Sequence, residues 1–441
     1  MNKRTKITFM GAGSTIFVKN VIGDALLFES LKDAEISLYD INAQRLEESG
    51  ILIESLNRSL NDGRASVRTY LGEAKRKEAL AQADFVFNAI QVGGYDPATI
   101  ADFEIPRKYG LRQTIADTIG IGGIFRGLRT IPVMLDFVRD MEEVCPDALL
   151  LNYTNPMSIV TGAVQKVSTI QTVGLCHSVQ VCASHLLEEL GMKANDLRWK
   201  IAGINHMAWL LDIRDGSKDL YPEIKARAEK KNRDETHDDM IRFEMMKYFG
   251  YYITESSEHF SEYTPYWIRS GSPEFIEDFN IPLDEYPRRC ITQIEEWNER
   301  RSELLSGKTP EHLKTSEYGA DIMNAVLTDQ AICIHGNVLN KKNYITNLPA
   351  EAVVEVPCLI DGNGIQPVES GALPVQCAAL NQSNINVHLT TIEAALTRKK
   401  ETVYQAALLD PHTSAELPPE KIIDLCDELF DAHRPWMPEY Q

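Results

Sequence analysis

Two short stretches bring metal-binding and proton-transferring side chains to places where the chain turns. In "TVGLCHSVQ", residues 172–180, Cys176 and His177 follow an apolar run, and in "IAGINHMAWL", residues 201–210, Asn205 and His206 lie between an apolar entry and an apolar exit. One thiolate and one imidazole, with the remaining positions left to substrate oxygens and water, would form an open catalytic cation site rather than a closed four-ligand one. Each also has a plainer reading. A buried cysteine is commonly an inert small hydrophobe, and His206 could be a satisfied core or interface histidine. His177 could support a ligand, bond a substrate hydroxyl or donate a proton, and the near-neutral titration of imidazole suits the last role.

Three further stretches carry groups of the same kind. "LNYTNPMSIVTG", residues 151–162, offers the amides of Asn152 and Asn155, suited to holding hydroxyls or a nicotinamide, although turn chemistry also explains Asn155-Pro156. "ADTIGIGGIFRGLRTIP", residues 116–132, holds four glycines before Leu128, two arginines and Asp117. It reads as a loop, too rich in glycine for a packed helix start, that would let backbone approach a ligand while Asp117 offers a carboxylate. "KITFMGAGSTIFVKN", residues 6–20, is a strand followed by Gly11-Ala12-Gly13-Ser14. These glycines permit a tight turn and close approach of a pyrophosphate, which would sit at the next helix N-terminus. Ile16 stands where a third glycine is usual. Asp40, closing the second strand, could accept from the adenosine ribose and so favour NAD, or could cap a helix; Arg45 could instead meet a 2′-phosphate. Gln91 and the two glycines after Val92 close a later strand on the same side.

The elements that must position these groups follow from periodicity. Apolar bursts over 7–10, 35–39, 85–89, 148–151 and 173–175 read as buried strands, and 43–57 and 131–144 carry helical spacing, an alternation that predicts a parallel, doubly wound sheet. Residues 220–248 are charged and helical. Residues 250–287, rich in Tyr, Pro, Ser and Glu, read as a long functional loop region. A strand over 352–356 and helices over 391–409 and 418–433 complete the chain. The length of 441 residues favours two domains, expected as 1–200 and 201–441.

A net charge of -19 without a basic cluster argues against nucleic acid and anionic membranes and for a small-molecule partner. Eight cysteines without a CxxC pair, and no secretory leader, place the protein in the reducing cytoplasm. No run approaches the roughly 18 apolar residues of a membrane span.

Taken together, the order of these stretches resembles glycoside hydrolase family 4, the NAD- and metal-dependent glycosidases. The anchors are Gly11 to Ser14, the loop from Asp117, Asn152 to Pro156, Cys176-His177 and Asn205-His206. The resemblance spans the whole chain and implies a Rossmann-like α/β domain fused to a lactate/malate dehydrogenase-like α+β domain. It implies that Cys176 and His206 hold a divalent cation, usually manganese. Gly11, Gly13, Ser14, Asp40 and Gln91 would serve NAD, and Asn152 and Asn155 would contact substrate. Asp117 would join the catalytic set. In "HFSEYTPYW" Tyr263 takes the place of the family's catalytic base, with Tyr252 and Tyr266 as rivals.

The implied chemistry is oxidation at sugar carbon 3 by NAD, metal-assisted removal of the carbon 2 proton, elimination of the alcohol, addition of water and return of the hydride. His177 would protonate the glycosidic oxygen. Cys176-His177-Ser178-Val179-Gln180 resembles members acting on unphosphorylated α-glycosides, above all α-galactosidases, with α-glucosidases and α-galacturonidases as alternatives. Arg288 or Arg289 could supply a cation to the substrate pocket, Arg289 being preferred. A homodimer or homotetramer is expected. Outside the family, an NAD-dependent hydroxy-acid or polyol dehydrogenase shares the Rossmann half but needs no thiolate ligand, and a nucleotide-sensing protein would bind NAD without turnover.

Overall fold

Six strands form the parallel half of the sheet in the computed structural model, which describes residues 4–305 and 311–441. They are β1 (Lys6–Met10), β2 (Glu35–Asp40), β3 (Ser66–Leu71), β4 (Phe85–Asn88), β5 (Leu149–Asn152) and β6 (Thr172–Gly174). Their order, β3-β2-β1-β4-β5-β6, is that of a doubly wound dinucleotide fold. All five residues of β1 are buried, as expected of a central strand covered on both faces. Lys6 is tolerated there because its ammonium reaches the Ala81 carbonyl at 2.9 Å. Phe9 and Phe87 stack across β1 and β4 with centroids 5.5 Å apart, and burying each ring contributes roughly 2–3 kcal/mol.

The sheet does not stop near residue 200. β6 is followed in space by β11 (Ile332–Leu339), β12 (Val353–Asp361), β7 (Leu197–Ile204), β8 (Met207–Asp215) and β10 (Tyr252–Ile253), all antiparallel, with β9 (Lys218–Asp219) and β13 (Gly364–Pro367) attached to β8 and β12. The main apolar core likewise draws on both halves of the chain, from Ile7 to Leu429. The segment read as a long loop holds short elements, β10 and single helical turns at Ser257–Phe260 and Phe275–Asp278, until a longer helix, Glu285–Leu305, begins at its end. The charged stretch after β9 forms two helices, Tyr221–Asp234 and Met240–Phe249.

Two sequence expectations need correction. The glycine-rich stretch after Asp117 is not a loop: a helix runs over Gly120–Val144. Its glycines serve close packing, since a Cβ on Gly122 would lie 2.6 Å from the Ala116 carbonyl oxygen and one on Gly127 3.0 Å from Ile159. The helix expected over 391–409 is two, Val375–Thr397 and Lys400–Leu409, broken where Arg398 adopts φ +57°. Among the described residues no helix is long and apolar enough to cross a membrane.

Candidate active site

The cofactor loop is built as its residue types require. Gly11 has φ +86°, and a Cβ there would lie 2.7 Å from the Ala89 carbonyl oxygen, so the turn and the close pass of the β4 end both demand glycine. Asp40 accepts from the Gly13 N–H at 2.6 Å and from the Asn42 N–H at 2.8 Å. It is therefore not the cap of the next helix; Asn42 is, accepting from the Arg45 N–H at 3.0 Å. Ser14 is exposed immediately before the Thr15–Leu26 helix and makes no side-chain cap, so its side chain occupies none of the first helical N–H groups. Gln91, also exposed, donates to Thr99 Oγ1 at 3.1 Å.

Cys176 lies two residues beyond β6, and His206 sits in the tight turn between β7 and β8. A third donor, Glu255, lies two residues beyond β10, where the Thr254 N–H to Ala208 carbonyl bond ties it to the same sheet edge. Ligand atoms of these three residues all lie within 4.8 Å of one another. Glu255 Oε2 is 3.6 Å from His206 Nε2 and 4.0 Å from Cys176 Sγ. Donors about 2.0–2.3 Å from a shared ion stand somewhat closer, about 3.5 Å apart, so modest contraction around a cation completes the geometry. His206 holds φ +62°, unusual for a residue with a Cβ and costing roughly 1–3 kcal/mol, the kind of strain retained at working sites.

The electrostatics fit a divalent cation. Burial, then the charges of Glu255 and Glu355, push the Cys176 thiol up, so it carries its proton until a cation displaces it. Burial would also raise Glu255, but the His206 and His259 imidazoles outweigh it and bring its carboxyl down to about 2. A thiolate and a carboxylate balance a charge of two, and the imidazole completes an open three-donor set. Sequence reasoning missed Glu255, along with His259, whose ring centroid is 4.8 Å from that of His206. The only signal was a run of acids and histidine in a stretch valued for its tyrosines.

Around this centre the structure brings most of the expected residues together. The Tyr263 ring lies 6.4 Å from His206, centroid to centroid, and its hydroxyl is buried without a partner among the described residues. Burial, then the nearby Asp117 and Glu255, raise its pKa in the cation-free protein. Asp117 is buried, receives the Asn155 amide at 2.9 Å and the Thr118 hydroxyl at 2.7 Å, and, despite burial, is held ionised chiefly by Arg126. His177 Nε2 meets Glu317 Oε2 at 2.6 Å, and burial, which lowers its pKa, is overcome by this bond and charge. Tyr318, the residue after Glu317, donates to the Cys176 carbonyl at 2.8 Å.

Two expected residues stand elsewhere. Asn152 is buried within the sheet, accepting from Asn88 at 2.8 Å and donating to Thr161 at 3.0 Å, so its amide is spent internally. Arg289 is engaged on the rim with Glu258 and with Glu285 at 2.9 Å. Tyr252, a rival base, is bound to Asp239 on a different face, and Tyr266 is exposed.

Fold and site together define a Rossmann-type α/β protein that gathers a cysteine, a histidine and a glutamate just past the carboxyl ends of three of its strands. The model described as family 4 glycosyl hydrolase matches residues 6–192, and that of the family 4 C-terminal domain matches 201–413. The chain belongs to family 4 of the glycosyl hydrolases. It is 57% identical to an alpha-galactosidase of Bacillus subtilis (strain 168), over 99% of this chain and 100% of that protein. Among solved structures, a 6-phospho-alpha-glucosidase from gut microorganisms, in complex with NAD and Mn2+, superposes with a TM-score of 0.81 at 20% identity over 100% of both chains. A lactate dehydrogenase from Eimeria maxima superposes with a TM-score of 0.50 at 16% identity over 90% of this chain and 97% of the other, in keeping with the expected relation of the folds.

Proposed function

We propose that the protein hydrolyses unphosphorylated α-galactosides with NAD and a divalent cation such as manganese. The observation that carries this reading is the Cys176, His206 and Glu255 cluster, in which Cys176 lies beyond the carboxyl end of the same parallel sheet whose first turn is shaped for a dinucleotide, and His206 and Glu255 join it from the antiparallel strands. Likeness over full length to an alpha-galactosidase favours galactose over glucose or galacturonic acid. The split of the family models near residue 200 supports residues 1–200 as the half that holds the cofactor and supplies Cys176, and 201–441 as the half that supplies His206 and Glu255.

When bound, the two cofactors supply reversible oxidation at sugar carbon 3 and polarisation of the resulting carbonyl. Gly11 and Gly13 admit the pyrophosphate, Asp40 receives the ribose hydroxyls, and Ser14 and Gln91 flank them. Tyr263 takes the proton from sugar carbon 2, its unpartnered hydroxyl being buried beside the centre. His177 keeps Nε2 on Glu317, which leaves Nδ1 to protonate the departing glycosidic oxygen. Asn155 and Asp117 hold sugar hydroxyls as one hydrogen-bonded pair.

The test is hydrolysis of p-nitrophenyl α-galactoside and α-glucoside with NAD, manganese and reductant omitted in turn, while NADH absorbance is followed. Nitrophenol release that needs all three, faster on the galactoside and without net NADH, is expected. NADH accumulation without glycoside cleavage would replace this reading with a dehydrogenase.

A further inference from the structure

Cys176 and His206 reach their centre from strands that are not neighbours, for β11 and β12 separate β6 from β7. Each outer strand meets the β11–β12 pair at one register position: Gly174 lies opposite Asn337, and Gly203 opposite Glu355. Asn337 and Glu355 are themselves register partners. A single row, Gly174–Asn337–Glu355–Gly203, therefore crosses four strands. Cys176 follows its start by two residues, and His206 follows its end by three.

The two middle residues are wholly buried. Asn337 Nδ2 donates both to Glu355 Oε1 at 3.1 Å and to the Gly174 carbonyl at 3.3 Å, which ties the acid on β12 to the backbone that leads into Cys176. The flanking positions have no room for side chains: a Cβ on Gly174 would lie 3.0 Å from that of Asn337, and one on Gly203 2.5 Å from the Ala208 Cα. An amide and a carboxyl in the middle of a sheet are poor choices for stability alone, because an apolar pair would avoid their desolvation.

We propose that Asn337 and Glu355 are positioning residues, a polar spacer that sets the separation of Cys176 and His206 for a divalent cation. The proposal rests on the cation-site reading above. Partners just behind metal ligands commonly change affinity by about 10–100-fold when lost, and the effect here is expected in that range.

The experiment is a Co2+ titration of the full chain and of Glu355→Leu, Asn337→Leu and Glu355→Gln, read by thiolate-to-cobalt charge-transfer absorption. NAD affinity and the thermal midpoint of the metal-free protein are measured alongside. In both leucine variants, binding about tenfold or more weaker with a changed charge-transfer band is expected while NAD affinity holds; the metal-free midpoint does not fall in Glu355→Leu, where Asn337 keeps the Gly174 carbonyl, and falls in Asn337→Leu, which leaves the buried Glu355 carboxyl without its donor. Glu355→Gln, whose amide oxygen can still accept from Asn337, is expected to stay near the parent. Parent-like Co2+ affinity and spectrum in the leucine variants would overturn the spacer, as would equal losses of Co2+ and NAD binding with a lowered midpoint. If Glu355→Leu does not fold, Asn337→Leu decides between these outcomes. Absence of a thiolate band in the parent protein itself would remove the cation site, and the spacer with it.

Discussion

Glu355 makes the metal-free protein's stability depend on pH in a way that one substitution isolates. Burial pushes its carboxyl up, against the opposing effects of His206 and the Asn337 bond, from 4.5 to about 7. Between those values the folded chain keeps a proton that the unfolded chain has released, so stability falls as pH rises through the window, and the full penalty applies above it. A displacement of about 2.5 units at about 1.4 kcal/mol each gives a penalty of about 3 kcal/mol. Other groups titrate nearby: Glu262 is likewise raised to about 7 by burial, while His335 and His388, lowered by burial to about 4, act in the opposite sense. Comparison with Glu355→Gln cancels these shared contributions, because the amide has no proton to lose and its other costs do not vary with pH. The assay is urea unfolding of both proteins in chelator from about pH 4 to about pH 8. Relative to the parent, the variant should gain about 3 kcal/mol across that range, most of it between about pH 5 and about pH 7. Parallel stability curves would refute a buried, proton-holding Glu355.

Two further substitutions test other parts of the structure. Gly11→Ala places a side chain at φ +86° and 2.7 Å from the Ala89 carbonyl oxygen, and strain of about 1–2 kcal/mol should weaken NAD binding about tenfold by titration calorimetry; parent affinity would show that this loop does not hold the cofactor. Asp102 is buried between Arg129, at 2.6 Å, and His433, at 2.8 Å, and although burial raises its pKa these partners prevail and keep it low. Its stabilising charge is thus present above the ordinary carboxylate range and is lost as pH falls through the depressed value. Asp102→Asn should cost about 3–5 kcal/mol near neutrality, since Arg129 stays buried without its counter-charge; an unchanged thermal midpoint would contradict this.

The features legible in the sequence are those whose physical cause is local. The Gly11–Ser14 turn and the Asp40 strand end follow from residue type at short range, and the parallel, doubly wound class of the sheet follows from alternating apolar bursts. Glycine itself is ambiguous, because the absence of a Cβ permits either a bent loop or a closely packed helix. Residues 120–144 chose the second, through contacts with Ala116 and Ile159 that no spacing rule contains. Asn152 illustrates the same limit, since an amide at a strand end suits a sugar hydroxyl equally well until Asn88, 64 residues away, takes its oxygen. Glu255 was hidden because two residues of β10 pairing with β8 decide its place, and acids are common in surface loops. Glu355 did leave a mark: it is the lone charge in the apolar first part of β12, "VVEVP", residues 353–357. A buried acid must find a partner, so its position inside a strand already pointed to a polar contact across the sheet, though not to the strands or the cation ligands that contact would join.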